Sequence, residues 1–203
     1  GLLAALACAL IGSGWQIMSR NAVTTTLGPL ELAVLRYGVP ALLLAPLLWR
    51  TGLFPRGVSA RRLACMVVGG GLPFGLLALA GVQWAPAAHM GIFLAGSVPL
   101  FTALGAWVVF GERLALPRVL GLLLVLGGLA VLGAHSLSGA ALAWRGDILF
   151  VAAAMVWAMY TLAFRGSGLT PWQGAAVVNG WSALLVLPVA VLWGVPRLAS
   201  APW

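Results

Sequence analysis

Long apolar runs separated by short polar connections dominate the chain. Seven of these runs come close to the about 20 residues that an α-helix needs to cross a bilayer. They cover roughly residues 1–19, 30–49, 63–84, 88–110, 117–134, 147–165 and 172–194. Runs of this length with few charges are typical of membrane spans, so the pattern predicts an all-α, polytopic transmembrane helical bundle. Because the connections are short, we expect spans that are adjacent in sequence to pack antiparallel.

Glycine and proline interrupt several of the predicted spans. Span three contains Gly71 and Pro73, and Pro73 removes a backbone hydrogen bond while the nearby glycines lower the cost of bending. Proline also interrupts other spans, at Pro40, Pro46, Pro99 and Pro188. We therefore consider Gly71, Pro73 and Pro99 candidate hinge or kink residues, with ordinary kinks in a static bundle as the alternative interpretation.

Composition places the chain in the membrane. It has 203 residues, of which 63% are hydrophobic and 7% charged, whereas a soluble domain carries about 25% charged residues. The net charge is +8, and every basic residue is an arginine that lies mainly between apolar runs. Arginines in the connections between spans are explained better by a role in membrane orientation than by nucleic-acid binding, so no nucleic-acid partner is expected.

The arginines also predict the orientation. The connections after spans two, four and six contain seven arginines, and those after spans one, three, five and seven contain three. Because positive residues favour the cytoplasmic side, the first set of connections and the N-terminus are expected in the cytoplasm.

An internal repeat relates the beginning of the chain to its last third. A shift of 145 residues places 9–15 on 154–160, and a shift of 142 residues places Pro29 on Pro171 and Pro46 on Pro188. Span six therefore repeats span one, and span seven repeats span two. A repeat unit of five spans inverts the second copy, an architecture common in transporters, whose substrate sites lie near the membrane midplane.

One stretch resembles a known family. The string Ser97-Val98-Pro99-Leu100-Phe101-Thr102-Ala103-Leu104, followed by Phe110-Gly111-Glu112-Arg113-Leu114 and a glycine-bearing apolar helix, closely resembles the EamA-type transporters of the drug/metabolite transporter superfamily. The resemblance implies ten spans in two inverted five-helix repeats. Residues 1–134 would form the first repeat and residues 135–203 the start of the second, truncated by three spans.

The resemblance also implies a function. It indicates export or exchange of small metabolites, often amino acids, in a bacterial inner membrane, with no cofactor and no enzymatic activity. A carrier of lipid-linked or phosphorylated substrates and a non-transporting receptor or scaffold remain alternatives. A homodimer is left open.

Arg36 in span two is the first candidate for substrate binding. A guanidinium stays charged, so inside a span it must find a partner or reach the interface. Recognition of a substrate carboxylate or phosphate is one interpretation. Extension to the interface, with pairing to Glu31, is the other.

Aromatic and polar residues at helical spacing extend the candidate site. Trp15 and Gln16 share one face of span one, and the repeat places Trp157 and Tyr160 on the matching face of span six. The two faces are expected to line one central cavity, with ordinary aromatic packing as the alternative. Asn179, on one face of span seven with Ser182, is a further hydrogen-bonding candidate.

His89 and two of the three acids lie near the ends of predicted spans, where their roles are expected to be local. His89 begins span four, where it would serve either as a proton-linked switch or as a solvated interfacial residue. Asp147 is expected to cap span six. Glu112 is expected to pair with Arg113 in a solvated turn, with a gating ion pair to another loop as the lesser alternative. Because no acid lies in mid-membrane, any proton coupling would use His89 or segments outside this chain.

Other chemistries find little support. The chain has no lysine for a retinal Schiff base, and Ser13 lacks an evident histidine or carboxylate partner. Cys8 and Cys65 lie in predicted spans without metal-ligand spacing, so neither a disulfide framework nor a metal site is expected.

Overall fold

The computed structural model describes residues 2–25, 27–138 and 142–194, and the regular elements within these ranges are helices. In chain order they are α1 (Leu2–Thr25), α2 (Pro29–Leu43), α3 (Ala45–Thr51), α4 (Ala60–Gly70), α5 (Leu72–Trp84), α6 (Ala87–His89), a π turn (Met90–Leu94), α7 (Ala95–Phe110), α8 (Leu116–Ser138), α9 (Ala143–Arg165) and α10 (Pro171–Trp193). The all-α class predicted from the hydropathy pattern is confirmed for this part of the chain.

Five segments of the described chain are long and apolar enough to cross a membrane. They are Ala60–Trp84, Ala87–Phe110, Leu116–Ser136, Ala143–Arg165 and Pro171–Leu192. A sixth is obtained if α2 and α3 are counted together. Predicted span one falls within α1 except for Gly1, which lies outside the described residues. Helix α1 is not among these segments, so the number of seven spans and the inverted repeat stay predictions.

The second predicted span is sharply bent. Its two helices, α2 and α3, meet at Leu44 with an angle of 69°. Pro40 lies inside α2 and Pro46 lies in the first turn of α3, and each removes a backbone donor that a continuous helix would need. The bend directs α3 away from the axis of α2.

The third predicted span is interrupted at Gly71, between α4 and α5. Two other helices bind the backbone at this break, although Gly71 O also accepts from Gly75 N of α5. Tyr37 Oη donates to Gly71 O at 2.5 Å, and Leu72 N donates to Ser182 Oγ at 3.0 Å. A Cβ at Gly71 would collide with Ser182 Oγ and with Val67 O, so a glycine is required at this break.

Helix α9 packs mainly against α4, α5 and α7. Its Phe150, Ala153 and Ala154 are fully buried. Gly69 of α4 allows the closest approach, since a Cβ there would lie 2.7 Å from Tyr160 N and would also strike Val156 O. The axes of α4 and α9 are therefore set by a glycine contact, as in other tightly packed membrane helices.

Helix α10 packs against α2, α3 and α4 and makes almost no contact with α9. The expectation that neighbouring spans pack antiparallel is therefore wrong for this pair. Both helices contact α4, whereas they hardly contact each other. The space between α9 and α10 contains the candidate site.

Candidate functional site

Arg36 lies on α2 and points among aromatic rings. Its guanidinium carbon is 4.3 Å from the centroid of the Trp15 ring, 5.5 Å from that of Tyr37 and 5.8 Å from that of Phe74. Its Nε is buried and has no hydrogen-bond partner among the described residues. Arg36 forms no ion pair with Glu31 there, so the pairing suggested with the interfacial alternative is wrong, while extension to the interface itself stays a prediction. Aromatic faces attract the cation but leave an N–H donor unused.

An aromatic wall on α9 faces this guanidinium. The rings of Trp157 and Tyr160 are 5.2 Å apart, and Phe74 of α5 lies 4.7 Å from Trp157. Phe164 continues the wall one turn further, 5.9 Å from Tyr160. These are contact distances for aromatic rings, and the wall offers a continuous apolar surface.

A cavity of about 320 Å³ lies between Arg36 and the aromatic wall. We call it the Arg36 cavity. It is lined by Arg36, Tyr37, Pro40, Gly70, Trp157, Tyr160, Ala175, Val178 and Asn179. Asn179 Nδ2 donates to Ala175 O at 2.8 Å, which leaves its carboxamide oxygen as an acceptor. A mainly apolar cavity with a few convergent polar groups is the usual form of a small-molecule site.

Comparison with known proteins identifies the family. The family model of the EamA-like transporter family matches residues 1–134, which is more than half of the chain. The chain belongs to the EamA-like transporter family. A search of curated proteins found no match. Family members are transporters, and the apolar helices agree with a multi-pass membrane protein.

In this EamA-like chain, four of the seven predicted substrate-binding residues line the cavity: Arg36, Trp157, Tyr160 and Asn179. Trp15 lies next to it, stacked on the guanidinium. Gln16 does not reach it, because its side chain lies against Gly91 of the π turn, where a Cβ would be 3.0 Å from Gln16 Oε1. Binding by these residues stays a prediction.

His89 lies at another place in the bundle and contacts an acid. His89 Nδ1 is 2.8 Å from Asp147 Oδ1, and Ser136 Oγ donates to Asp147 Oδ2 at 2.5 Å. Asp147 does not cap span six as expected, because α9 begins four residues earlier, at Ala143. The acid instead connects the beginnings of spans four and six with the end of span five.

The candidate hinges lie in different settings. Gly71 is the break itself, and Pro73 is in the first turn of α5, where its missing N–H costs little. Pro99 lies inside α7, downstream of the π turn. A hinge role for these residues stays a prediction.

Glu112 forms a surface ion pair with another helix. Its Oε1 lies 2.6 Å from Arg165 Nη1 at the end of α9, and Arg165 also lies over the ring of Phe110. The expected pair with Arg113 is therefore wrong, because the left-handed turn at Gly111 directs Glu112 towards α9. The ion pair with another connection, the lesser alternative, is the one formed, and a gating role for it stays a prediction.

A wider opening of about 670 Å³ lies between α7, α8 and α9. Trp157 and Thr161 line it on one side and Arg118 and Thr102 on the other. Trp157 therefore belongs to both this opening and the Arg36 cavity. Within the described residues no cluster of potential metal ligands is found, and the side chain of Cys8 lies outside them.

Proposed function

We propose that this protein is a secondary transporter that moves a small metabolite by alternating access, with export of amino acids or related amphipathic compounds as its activity. The proposed location is a bacterial inner membrane with the N-terminus in the cytoplasm. The observation that carries the proposal is the buried, unpartnered Nε of Arg36 in a cavity with aromatic walls.

Arg36 supplies the recognition of an anionic group. A desolvated guanidinium without a carboxylate partner is costly, and a bound carboxylate would offset that cost through charge-assisted hydrogen bonds. Stacking on Trp15 holds the planar group in place while leaving its edge free to donate. The site thus favours a substrate with a carboxylate over a neutral one.

The other walls suit the remainder of such a substrate. Trp157 and Tyr160 provide flat apolar faces, and the carboxamide oxygen of Asn179 accepts from an ammonium or hydroxyl group. A volume of about 320 Å³ is near the lower end of ligand sites, which hold about 300–1,000 Å³. Small amphipathic metabolites therefore fit better than large drugs.

Alternating access needs spans that bend next to the substrate. The break at Gly71 follows Gly70, which lines the Arg36 cavity, and the bend at Leu44 follows Pro40, which also lines it. Both interruptions adjoin the proposed site, as expected for broken helices of transporters.

Flux measurements on the full-length protein in proteoliposomes test the proposal. Vesicles loaded with unlabelled amino acids should exchange them for labelled ones in the medium with saturable kinetics. Arg36→Gln should reduce that exchange at least tenfold, whereas Arg61→Gln, an exposed arginine outside the cavity, should leave it unchanged. Equal exchange by the wild type and Arg36→Gln would remove Arg36 from the site, and no saturable exchange of any solute would refute transport.

Phosphorylated or lipid-linked substrates are the second candidate, because a guanidinium also binds phosphate. Vesicles loaded with sugar phosphates distinguish the two. Exchange of phosphates without exchange of amino acids would favour this second candidate.

A further inference from the structure

A second group of arginines lies at the end of the bundle where the arginine-bearing connections collect. A surface pocket of about 500 Å³ is lined there by Trp49, Arg50, Thr51, Gly52, Phe54, Pro55, Arg56, Leu169 and Gln173. We call it the arginine pocket. It shares no residue with the Arg36 cavity. Its residues come from α3, the following loop, the loop before α10 and the first turn of α10.

The charge of this pocket is uncompensated. Arg50 and Arg56 are exposed, and neither forms an ion pair or hydrogen bond within the described residues. The three acids of the chain, Glu31, Glu112 and Asp147, are absent from its lining. Two neighbouring unpaired guanidinium groups favour an anion with several oxygens, because each presents a planar set of N–H donors.

The loop that forms the pocket is held in a defined shape. Trp181 Nε1 donates to Leu53 O at 2.8 Å, and the Phe54 and Trp181 rings are in edge contact at 5.2 Å. Gln173 uses its carboxamide oxygen to accept from Thr170 N at 2.9 Å, which leaves its NH₂ group as a further donor. The pocket is therefore largely formed before any ligand binds.

Its surroundings match a membrane interface. Trp49 is 91% exposed, and exposed tryptophan is typical of the headgroup level of a bilayer. Leu42 and Leu43 are exposed on the neighbouring turn of α2, beside the bend that separates α2 from α3. Exposed apolar side chains thus lie on both helices of the bend that adjoins the charged pocket, where acyl chains would meet them.

We propose that the arginine pocket binds an anionic phosphate group, with the headgroup of an anionic phospholipid as its source. Arg50 and Arg56 contact the phosphate oxygens, Gln173 adds a neutral donor, and Trp49 packs against the upper part of the acyl chains. Basic pockets at the ends of spans bind anionic lipids in this way.

Lipid binding to the purified full-length protein tests this proposal. The protein in a neutral detergent is titrated with short-chain phosphatidylglycerol, with phosphatidylcholine of the same chain length, and with glycerol phosphate, and binding is followed by native mass spectrometry. Saturable binding of phosphatidylglycerol is expected, with at least tenfold weaker binding of phosphatidylcholine. Competition by glycerol phosphate at similar concentration would assign the same phosphate site to a soluble ligand.

Matched variants decide whether the pocket is responsible. The double variant Arg50→Gln/Arg56→Gln should weaken phosphatidylglycerol binding at least tenfold, while Arg61→Gln/Arg113→Gln, which removes the same charge from two exposed positions outside the pocket, should not. Arg56→Gln alone changes one exposed loop side chain and should weaken binding at least threefold. Equal loss in both double variants, or equal binding of both lipids, would overturn the proposal.

Discussion

Arg36 and Asp147 both lie inside the helix bundle, but their charges are satisfied to different extents. The Asp147 side chain is 8% exposed and receives a hydrogen bond from Ser136 while contacting His89. Arg36 has aromatic neighbours and a buried Nε without a partner in the described chain. The carboxylate of Asp147 thus has partners within the protein, whereas the Nε donor of Arg36 has none among the described residues.

The difference separates groups that hold the fold from groups that are available to a ligand. A buried charge with protein partners ties together the elements that supply them, here the segments around positions 89, 136 and 147. A buried donor without a partner costs about 1–3 kcal/mol. We therefore expect Asp147 variants to lose stability and Arg36 variants to lose binding.

The largest expected effect is on stability at Asp147. Asp147→Ala leaves the Ser136 hydroxyl and the His89 ring without their acceptor, so the free energy of unfolding should fall by about 2–3 kcal/mol. Unfolding in mild detergent measures this, with Asp147→Asn as the matched control that keeps one acceptor and loses less. Arg36→Gln should unfold at or above the wild-type midpoint. Unchanged stability of Asp147→Ala would contradict the comparison.

The next effect is on affinity at Arg36. Arg36→Lys keeps the charge but loses the planar donor edge and the stacking on Trp15, so KM should rise about tenfold, or about 1.4 kcal/mol. The concentration dependence of exchange in proteoliposomes measures this. A KM equal to that of the wild type would mean that charge alone is recognised.

A smaller loss of stability is expected when the hydrogen bonds to the backbone at the Gly71 break are removed. Tyr37→Phe removes the donor to Gly71 O and Ser182→Ala removes the acceptor of Leu72 N, each with a loss of about 1 kcal/mol. Hydrogen exchange of the Leu72 amide should become faster in Ser182→Ala. Ser167→Ala, in the loop between α9 and α10, should leave that amide unchanged. Unaltered exchange in Ser182→Ala would show that this bond does not restrain the break.

The smallest effect is expected for the surface pair of Glu112 and Arg165. Arg165 is 59% exposed on its side chain, so Glu112→Gln should lower the free energy of unfolding by no more than about 0.5 kcal/mol. The same unfolding assay at low and high salt checks this, because screening should remove even that difference. A loss as large as that of Asp147→Ala would contradict the distinction between surface and buried pairs.

Hydropathy predicted much of the helix arrangement. The predicted spans 88–110 and 172–194 agree closely with Ala87–Phe110 and Pro171–Leu192, because long apolar runs leave few alternatives to a helix. The repeat also placed Trp157 and Tyr160 on one face, and both line the Arg36 cavity. Pro40 and Pro46 marked the bend in span two, although not its angle.

Patterns in the sequence did not predict the contacts between segments that are far apart along the chain. His89 and Asp147 are separated by 58 positions, and no local pattern indicates that pair. Likewise, short connections suggested that α9 packs on α10, but α4 contacts both instead. Such pairings depend on which helix surfaces fit together, and a single sequence does not encode that fit in any simple period.

The glycine contact between α4 and α9 has a consequence for the size of the Arg36 cavity. Because Gly69 lies against the backbone at Tyr160, the spacing of these two helices fixes how far the aromatic wall stands from α2. A methyl group at position 69 would push that wall outward although position 69 does not line the cavity. Gly69 thus limits the size of the molecules that the Arg36 cavity admits, although Gly69 itself would not contact them.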